Sequence, residues 1–326
     1  MSLPFVANAQ FTLPTNQLPN LNMKPSLSLT VETQTPLPGA VVIATANLSG
    51  ITSVNNSNFS WFLNGVTQKE ASGANKNTFA FQVGSLGAVY KIGVDISMPG
   101  GDNLSDSISL TVSDFDMTWS ANSQAPASYK GKLLPTQKST LNISAMPFVY
   151  QPGTKTQLAN SNLIYNWYVD DKFSAGSSGA GKSDLIFTVN DYAGANKSVR
   201  LEIKTSDGAV SISKGIDIPI IQPQVFVHLA DFKTGFPYGV ALKNLTVGPI
   251  SLNFIAQNYF FNIVPDNLRW QWLIDDKEVA SNSGKPWTAS LNLANAGPLF
   301  ARIKILVKNS ANELETAQTT INLEVK

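Results

Sequence analysis

Cysteine is missing from this chain of 326 residues. Its absence excludes thiolate zinc sites, iron–sulfur clusters, disulfide scaffolds and cysteine nucleophiles together. Histidine is nearly as scarce. His228 stands alone, so no multi-histidine metal centre can form, although a Ser-His-Asp arrangement needs only one. Charged residues make up 14% of the chain, against about a quarter in ordinary soluble domains. The 23 basic and 22 acidic side chains leave a net charge of +1. That balance excludes a basic nucleic-acid surface and provides no pull toward anionic membranes. No apolar run approaches the roughly 18 residues of a transmembrane helix. What is present is apolar content, 43%, in a chain long enough for two or three domains.

An internal repeat organises that content. Trp61-Phe62-Leu63-Asn64-Gly65 recurs as Trp167-Tyr168-Val169-Asp170-Asp171 and as Trp272-Leu273-Ile274-Asp275-Asp276. An aromatic residue stands two positions before each tryptophan: Phe59, Tyr165 and Trp270. Ser-Gly follows at Ser72-Gly73, Ser178-Gly179 and Ser283-Gly284. Phe81, Phe187 and Leu291 come next, and then Gly87, Gly194 and Gly297. Landmarks at near-constant offsets mark three copies of one structural unit.

Within each copy the apolar residues alternate with a period of two, as in half-buried strands. Val41–Ala46, Tyr90–Ile96, Val199–Lys204 and Arg302–Val307 are such runs. Each copy closes on a further strand, at 108–112, 212–218 and 321–325, with Gly100-Gly101 and Asp207-Gly208 as the preceding turns. No helical period persists over three turns. The predicted class is all-β: three tandem immunoglobulin-like sandwiches in a rod, with Trp61, Trp167 and Trp272 as core residues between the sheets. The predicted boundaries are a leader at 1–24 and domains at 25–113, 114–221 and 222–326. Segment 231–249 precedes the second strand of the third copy and reads as a long loop.

The tryptophan strand followed by Asn-Gly or Asp-Asp resembles the third strand and turn of bacterial immunoglobulin-like and PKD-like modules. The chain departs from PKD modules in lacking Gly-Asp-Gly after the tryptophan. Phe115–Trp119 and Tyr129–Pro135 resemble a group of exported and surface repeat proteins of environmental bacteria. The resemblance covers most of the chain from Pro25 onward and implies architecture rather than activity.

Other motifs read as structural. Gly176–Ser183 satisfies the phosphate-loop pattern G-x-x-x-x-G-K-[ST], but 184–189 reads as a strand where a phosphate loop needs a helix. It is expected to be a glycine-rich hairpin connection. Asp170-Asp171 and Asp275-Asp276 read as turn formers before calcium ligands, and Asp114 with Asp116 at the first boundary is a weaker calcium candidate. His228 falls in an alternating strand without a nucleophile elbow. No catalytic residue, cofactor or metal is therefore expected. Trp119 and Trp270 fit buried strand positions. Trp287, Tyr238 and Tyr129 remain as a candidate ligand platform for sugars.

Ala7-Asn8-Ala9 resembles the cleavage site of a signal-peptide remnant, with Gln10 as the mature N-terminus. The expected localisation is thus exported, at the cell surface or extracellular, with the periplasm as a further possibility. Residues 10–24 are expected to dock on their own first domain or on a neighbouring subunit. The leading functional expectation is a non-enzymatic structural or adhesive protein of a bacterial surface or appendage. Its expected partners are other surface proteins, itself, or glycans. Two alternatives stay open: a carbohydrate-binding protein, and a hydrolase with its site in 231–249.

Overall fold

The computed structural model describes residues 24–50, 57–99, 101, 103–282 and 284–326. The signal remnant and residues 10–23 of the leader lie outside the described residues, as do Gly100 and Ser283. The chain divides into two compact units. One runs to Val112 and takes in Pro152–Thr154; the other holds Ser113–Gln151 and Lys155–Lys326. No α-helix occurs among the described residues.

The first unit is a sandwich. Strands β1 (Ser26–Val31), β2 (Val41–Ser49) and β4 (Thr78–Gln82) form one antiparallel sheet in the order β1-β2-β4. The facing sheet joins β3 (Asn58–Leu63), β5 (Val89–Ser97) and β6 (Asn103–Thr111), with Val66–Thr67 along the outer edge of β3. Seven strands divided three and four, with β4 returning to pair beside β2, make an immunoglobulin-like topology. The period-two alternation turns Val42, Ala44 and Ala46 of β2 inward against Trp61, Ile92, Val94 and Ile96.

The second unit contains two such sandwiches, each with its own core. In the first of them, β7 (Asp114–Ala121), β8 (Thr140–Phe148) and β10 (Asp184–Thr188) face β9 (Ile164–Val169), β11 (Asn196–Lys204) and β12 (Ser211–Pro219). In the other, β13 (Gln224–Ala230), β15 (Ser251–Tyr259) and β17 (Thr288–Asn292) form one sheet. The facing sheet holds β14 (Asn244–Val247), β16 (Leu268–Ile274), β18 (Leu299–Asn309) and β19 (Asn312–Val325).

Two features differ from the sequence expectation. Segment 231–249, read as a loop, carries a short hairpin, with Pro237–Tyr238 pairing Leu229–Ala230. It then crosses the sandwich as β14, which runs parallel to the end of β19. The closing strands also begin earlier than alternation indicates. β19 starts at Asn312 because it pairs with β18 through a mostly polar stretch, Glu313 to Thr320, whose inward positions carry Glu315 and the small Ala317 rather than large apolar side chains.

The two sandwiches of the second unit are knit at a joint. Gln124 and Phe261 form an antiparallel bridge: the Gln124 amide donates to the Phe261 carbonyl at 2.7 Å. Tyr129 packs edge-on against Tyr259 and Phe260. Phe260 holds φ +64°, a left-handed conformation that is costly for a bulky residue and is sustained here by the packing on both sides. Glu315 is buried beside the joint and accepts from the Asn262 backbone amide and the Asn309 side-chain amide.

Burial raises the Glu315 carboxyl above its ordinary value of 4.5, more than those two hydrogen bonds lower it. The folded chain therefore retains a proton that the unfolded chain has already released. This group's contribution to stability is greatest below pH 4.5 and falls as pH rises through the folded value. Glu315→Gln is expected to flatten that fall, read as urea midpoints between about pH 4 and about pH 8. Identical slopes for both proteins would contradict the assignment.

Candidate functional site

Most of the conspicuous residues serve the repeat itself. Trp61, Trp167 and Trp272 are buried, and each indole nitrogen donates to a backbone carbonyl: Lys76 at 2.9 Å, Lys182 at 3.0 Å and Pro286 at 3.0 Å. The hydroxyls of Ser72 and Ser178 accept from the backbone amides of Trp61 and Trp167, each at 2.9 Å. Gly73 and Gly179 sit at φ +137° and +139°, where a side chain is rarely tolerated, and pair with Phe59 and Tyr165. In the first two copies the Ser-Gly landmark is thus the strap that closes over the tryptophan strand.

The phosphate-loop pattern dissolves into the same strap. Lys182 donates from its amine to the Gly176 carbonyl at 2.8 Å, so the cation a phosphate would need is engaged within its own loop. β10 follows, with no helix to supply converging amides.

The paired aspartates are turn residues. Asn64-Gly65, Asp170-Asp171 and Asp275-Asp276 all have positive φ at both positions, the geometry of a type I′ hairpin turn. At each turn the first side chain reaches across to a backbone amide, Asn64 to Lys91, Asp170 to Ser198 and Asp275 to Arg302. Asp170 also shares Lys197 with Asp191. Burial lowers the Lys197 ammonium, but the hydrogen bonds it donates to the two carboxylates outweigh that and leave the pKa raised. Asp114 pairs with Lys214, which also donates to the Phe115 carbonyl. Among the described residues no three His, Asp or Glu side chains cluster as metal ligands.

His228 lies in β13 opposite Ile255, and its Nδ1 has no hydrogen-bond partner among the described residues. A catalytic triad needs a carboxylate at that atom. Trp119 is half-buried on the core of the second sandwich, with the Lys132 amine 3.7 Å from its ring centre. Burial there lowers the Lys132 pKa.

The three platform aromatics fall in different places. Tyr129 is part of the joint. Tyr238 stands at the opposite end of the third sandwich. Trp287 is half-buried beside the joint, set edge-on to Trp270 with ring centres 6.3 Å apart. It borders a cleft of about 320 Å³ between Gln124–Pro126 of the second sandwich and β15 with Pro265–Asp266 of the third.

Around Tyr238 the structure reveals an aromatic loop. Phe232, Phe236 and Val240 are 64%, 72% and 83% exposed, and Tyr238 is exposed as well. The Asp231 carboxylate accepts from the Thr234 amide, the Thr234 hydroxyl and the Lys233 amide, bonds that hold its pKa below the usual range and brace the loop. Phe300, also exposed, begins β18 at the same end, where Leu299 and Val247 both pair with Val325. Sequence reasoning singled out Tyr238 but passed over Phe232 and Phe236. Three aromatics in seven residues without strand alternation was the signal available.

No family model matches the chain, and no curated protein matches it. Solved structures do. The three N-terminal domains of the bacteriophage RB49 highly immunogenic outer capsid protein align over 93% of this chain and 99% of their own, at 11% identity and TM-score 0.29. The central fibronectin-III array of RIM-binding protein aligns over 94% and 98%, at 13% identity and TM-score 0.30. A Bacteroides ovatus glucan-utilization protein, SGBP-B, solved with a mixed-linkage heptasaccharide, aligns over 93% and 70%, at 12% identity and TM-score 0.22. The first two are tandem-domain proteins of the immunoglobulin and fibronectin type. At such scores the likeness carries nothing further, and the fold stands on the strand order itself.

Proposed function

We propose that this is a non-enzymatic adhesive protein of a bacterial surface or appendage, exported from the cytoplasm, which makes contact through the aromatic loop Asp231–Val240. The observation that supports the reading is the exposure of Phe232, Phe236, Tyr238 and Val240 on one braced loop. Large apolar side chains gathered in water mark a surface that a partner covers. The brace matters too, because a loop already ordered by Asp231 loses little conformational freedom on docking. A hydrolase in this segment would need free, convergent polar groups, whereas the Asp231 carboxylate is engaged by its own loop.

Antibody labelling of intact cells is expected to detect the protein. Phe232→Ser with Phe236→Ser is expected to reduce cell attachment to hydrophobic surfaces several-fold at equal surface levels. Protein confined to the cytoplasm, or undiminished attachment by the double variant, would end the proposal.

A further inference from the structure

We infer that the cleft beside Trp287 is a binding site for a neutral saccharide. It lies at the other end of the third sandwich from the aromatic loop, so the two readings stand or fall separately.

The platform is built before any ligand arrives. The Trp287 carbonyl accepts from the Ala256 amide at 2.8 Å, which fixes its backbone against β15. Its ring abuts Trp270, whose indole nitrogen donates to the Pro265 carbonyl at 3.0 Å. The half-buried indole lines the cleft, and an aromatic ring attracts C–H groups that carry partial positive charge, as those on one side of a pyranose do. The cleft volume of about 320 Å³ suits one or two sugar rings.

The polar lining identifies the ligand class. Gln124, Gln257 and Asn258 supply amides and Asp266 a carboxylate, a mixture of donors and acceptors suited to hydroxyls that do both. Among the described residues no lysine, arginine or histidine lines the cleft. A phosphorylated or acidic sugar would meet Asp266 without a compensating cation, so the site selects neutral ligands.

Asn258 adds a second polar feature to the cleft wall. It lies on the cleft wall at 5% exposure, and its Nδ2 has no hydrogen-bond partner among the described residues. A buried amide left unpaired is destabilising, and native chains rarely keep one without a reason. Asn258 lies on the inward side of β15, in series with Leu252, Phe254 and Ala256, where an apolar residue would satisfy packing alone. A ligand hydroxyl becomes the missing acceptor once the amide turns from the core toward the cleft.

The test titrates the whole chain with cellohexaose, laminarihexaose, xylohexaose and mannohexaose, with a galacturonate hexamer as the anionic control, by calorimetry and tryptophan fluorescence. At least one neutral hexamer is expected to bind saturably and perturb the emission, and the galacturonate is not. Trp287→Ala is expected to weaken binding about tenfold or more. Asp266→Ala, an exposed change harmless to folding, should weaken it several-fold. Asn258→Leu should weaken it while leaving the melting temperature unchanged or higher, since it removes an unpaired amide. Failure of all four neutral hexamers to bind would overturn the inference. So would tighter binding of galacturonate, or full affinity in both Trp287→Ala and Asp266→Ala. None of these results bears on attachment through the aromatic loop.

Discussion

Trp61→Ala is expected to destabilise the first unit by about 3–5 kcal/mol, the range for emptying a large aromatic from a packed core. Trp61 is wholly buried, 5.7 Å from the Phe79 ring, with Phe79 in turn stacked on Phe81. The substitution leaves a cavity at the centre of the sandwich and also orphans the Lys76 carbonyl, which loses its indole donor. A domain of this size has only about 5–15 kcal/mol to lose. Hydrogen exchange on peptides from β3, β5 and β6 is the measurement, and protection there should drop by two or more orders of magnitude. Trp61→Phe keeps much of the volume but loses the Lys76 hydrogen bond, and should fall between wild type and Trp61→Ala. Equal protection in Trp61→Ala and wild type would mean that the tryptophan is not the keystone of its sheet pair.

The same residue shows why the fold was readable and where the reading stopped. A central tryptophan fixes its neighbours stereochemically. The strap needs a hydroxyl at Ser72 or Ser178, a glycine at Gly73 or Gly179, and a two-residue turn with positive φ after the strand. Each requirement leaves a residue type at a fixed offset, and those offsets are the repeat. The strand order follows from the same landmarks. The start of β19, from Glu313 to Thr320, left little trace, because its inward positions carry Glu315 and the small Ala317. β14 was hidden for a related reason: as a parallel edge strand beside β19 it has only Leu245 and Val247 packed on the core.

Site residues were legible one at a time but not as arrangements. Trp287 stood out as an aromatic outside the repeat, and Tyr238 likewise. That Trp287 would face Gln124 from another sandwich depends on how the two pack, which no local spacing encodes. Asn258 was invisible for a sharper reason. In sequence it is one more polar residue near a strand end, and only its burial without a partner sets it apart. Joints in general share this property, since their hydrogen bonds link residues more than a hundred positions apart.

The joint supplies the last expected result. The Asn262 side chain donates to the Thr136 hydroxyl at 3.1 Å and the Gln137 carbonyl at 2.9 Å, and accepts from the Ser139 hydroxyl at 2.6 Å. All three partners belong to the second sandwich, whereas Asn262 follows β15 of the third. Thr136 and Ser139 are buried, so Asn262→Ala weakens the satisfaction of both hydroxyls and leaves the space of the missing amide. The Thr136 hydroxyl keeps the Phe260 carbonyl and the Ser139 hydroxyl keeps the Thr136 amide, so the net destabilisation should be about 1–3 kcal/mol. Its form matters more than its size. Wild type is expected to lose both sandwiches in one urea transition, because the network holds each to the other. In Asn262→Ala, hydrogen exchange at β9 and β11 should report one midpoint and exchange at β16 and β18 another. Asn262→Gln, which keeps the amide but displaces it by one methylene, should separate the midpoints less. Coincident midpoints in Asn262→Ala, unchanged from wild type, would show that the Gln124–Phe261 bridge and the Tyr129 packing hold the joint without the amide.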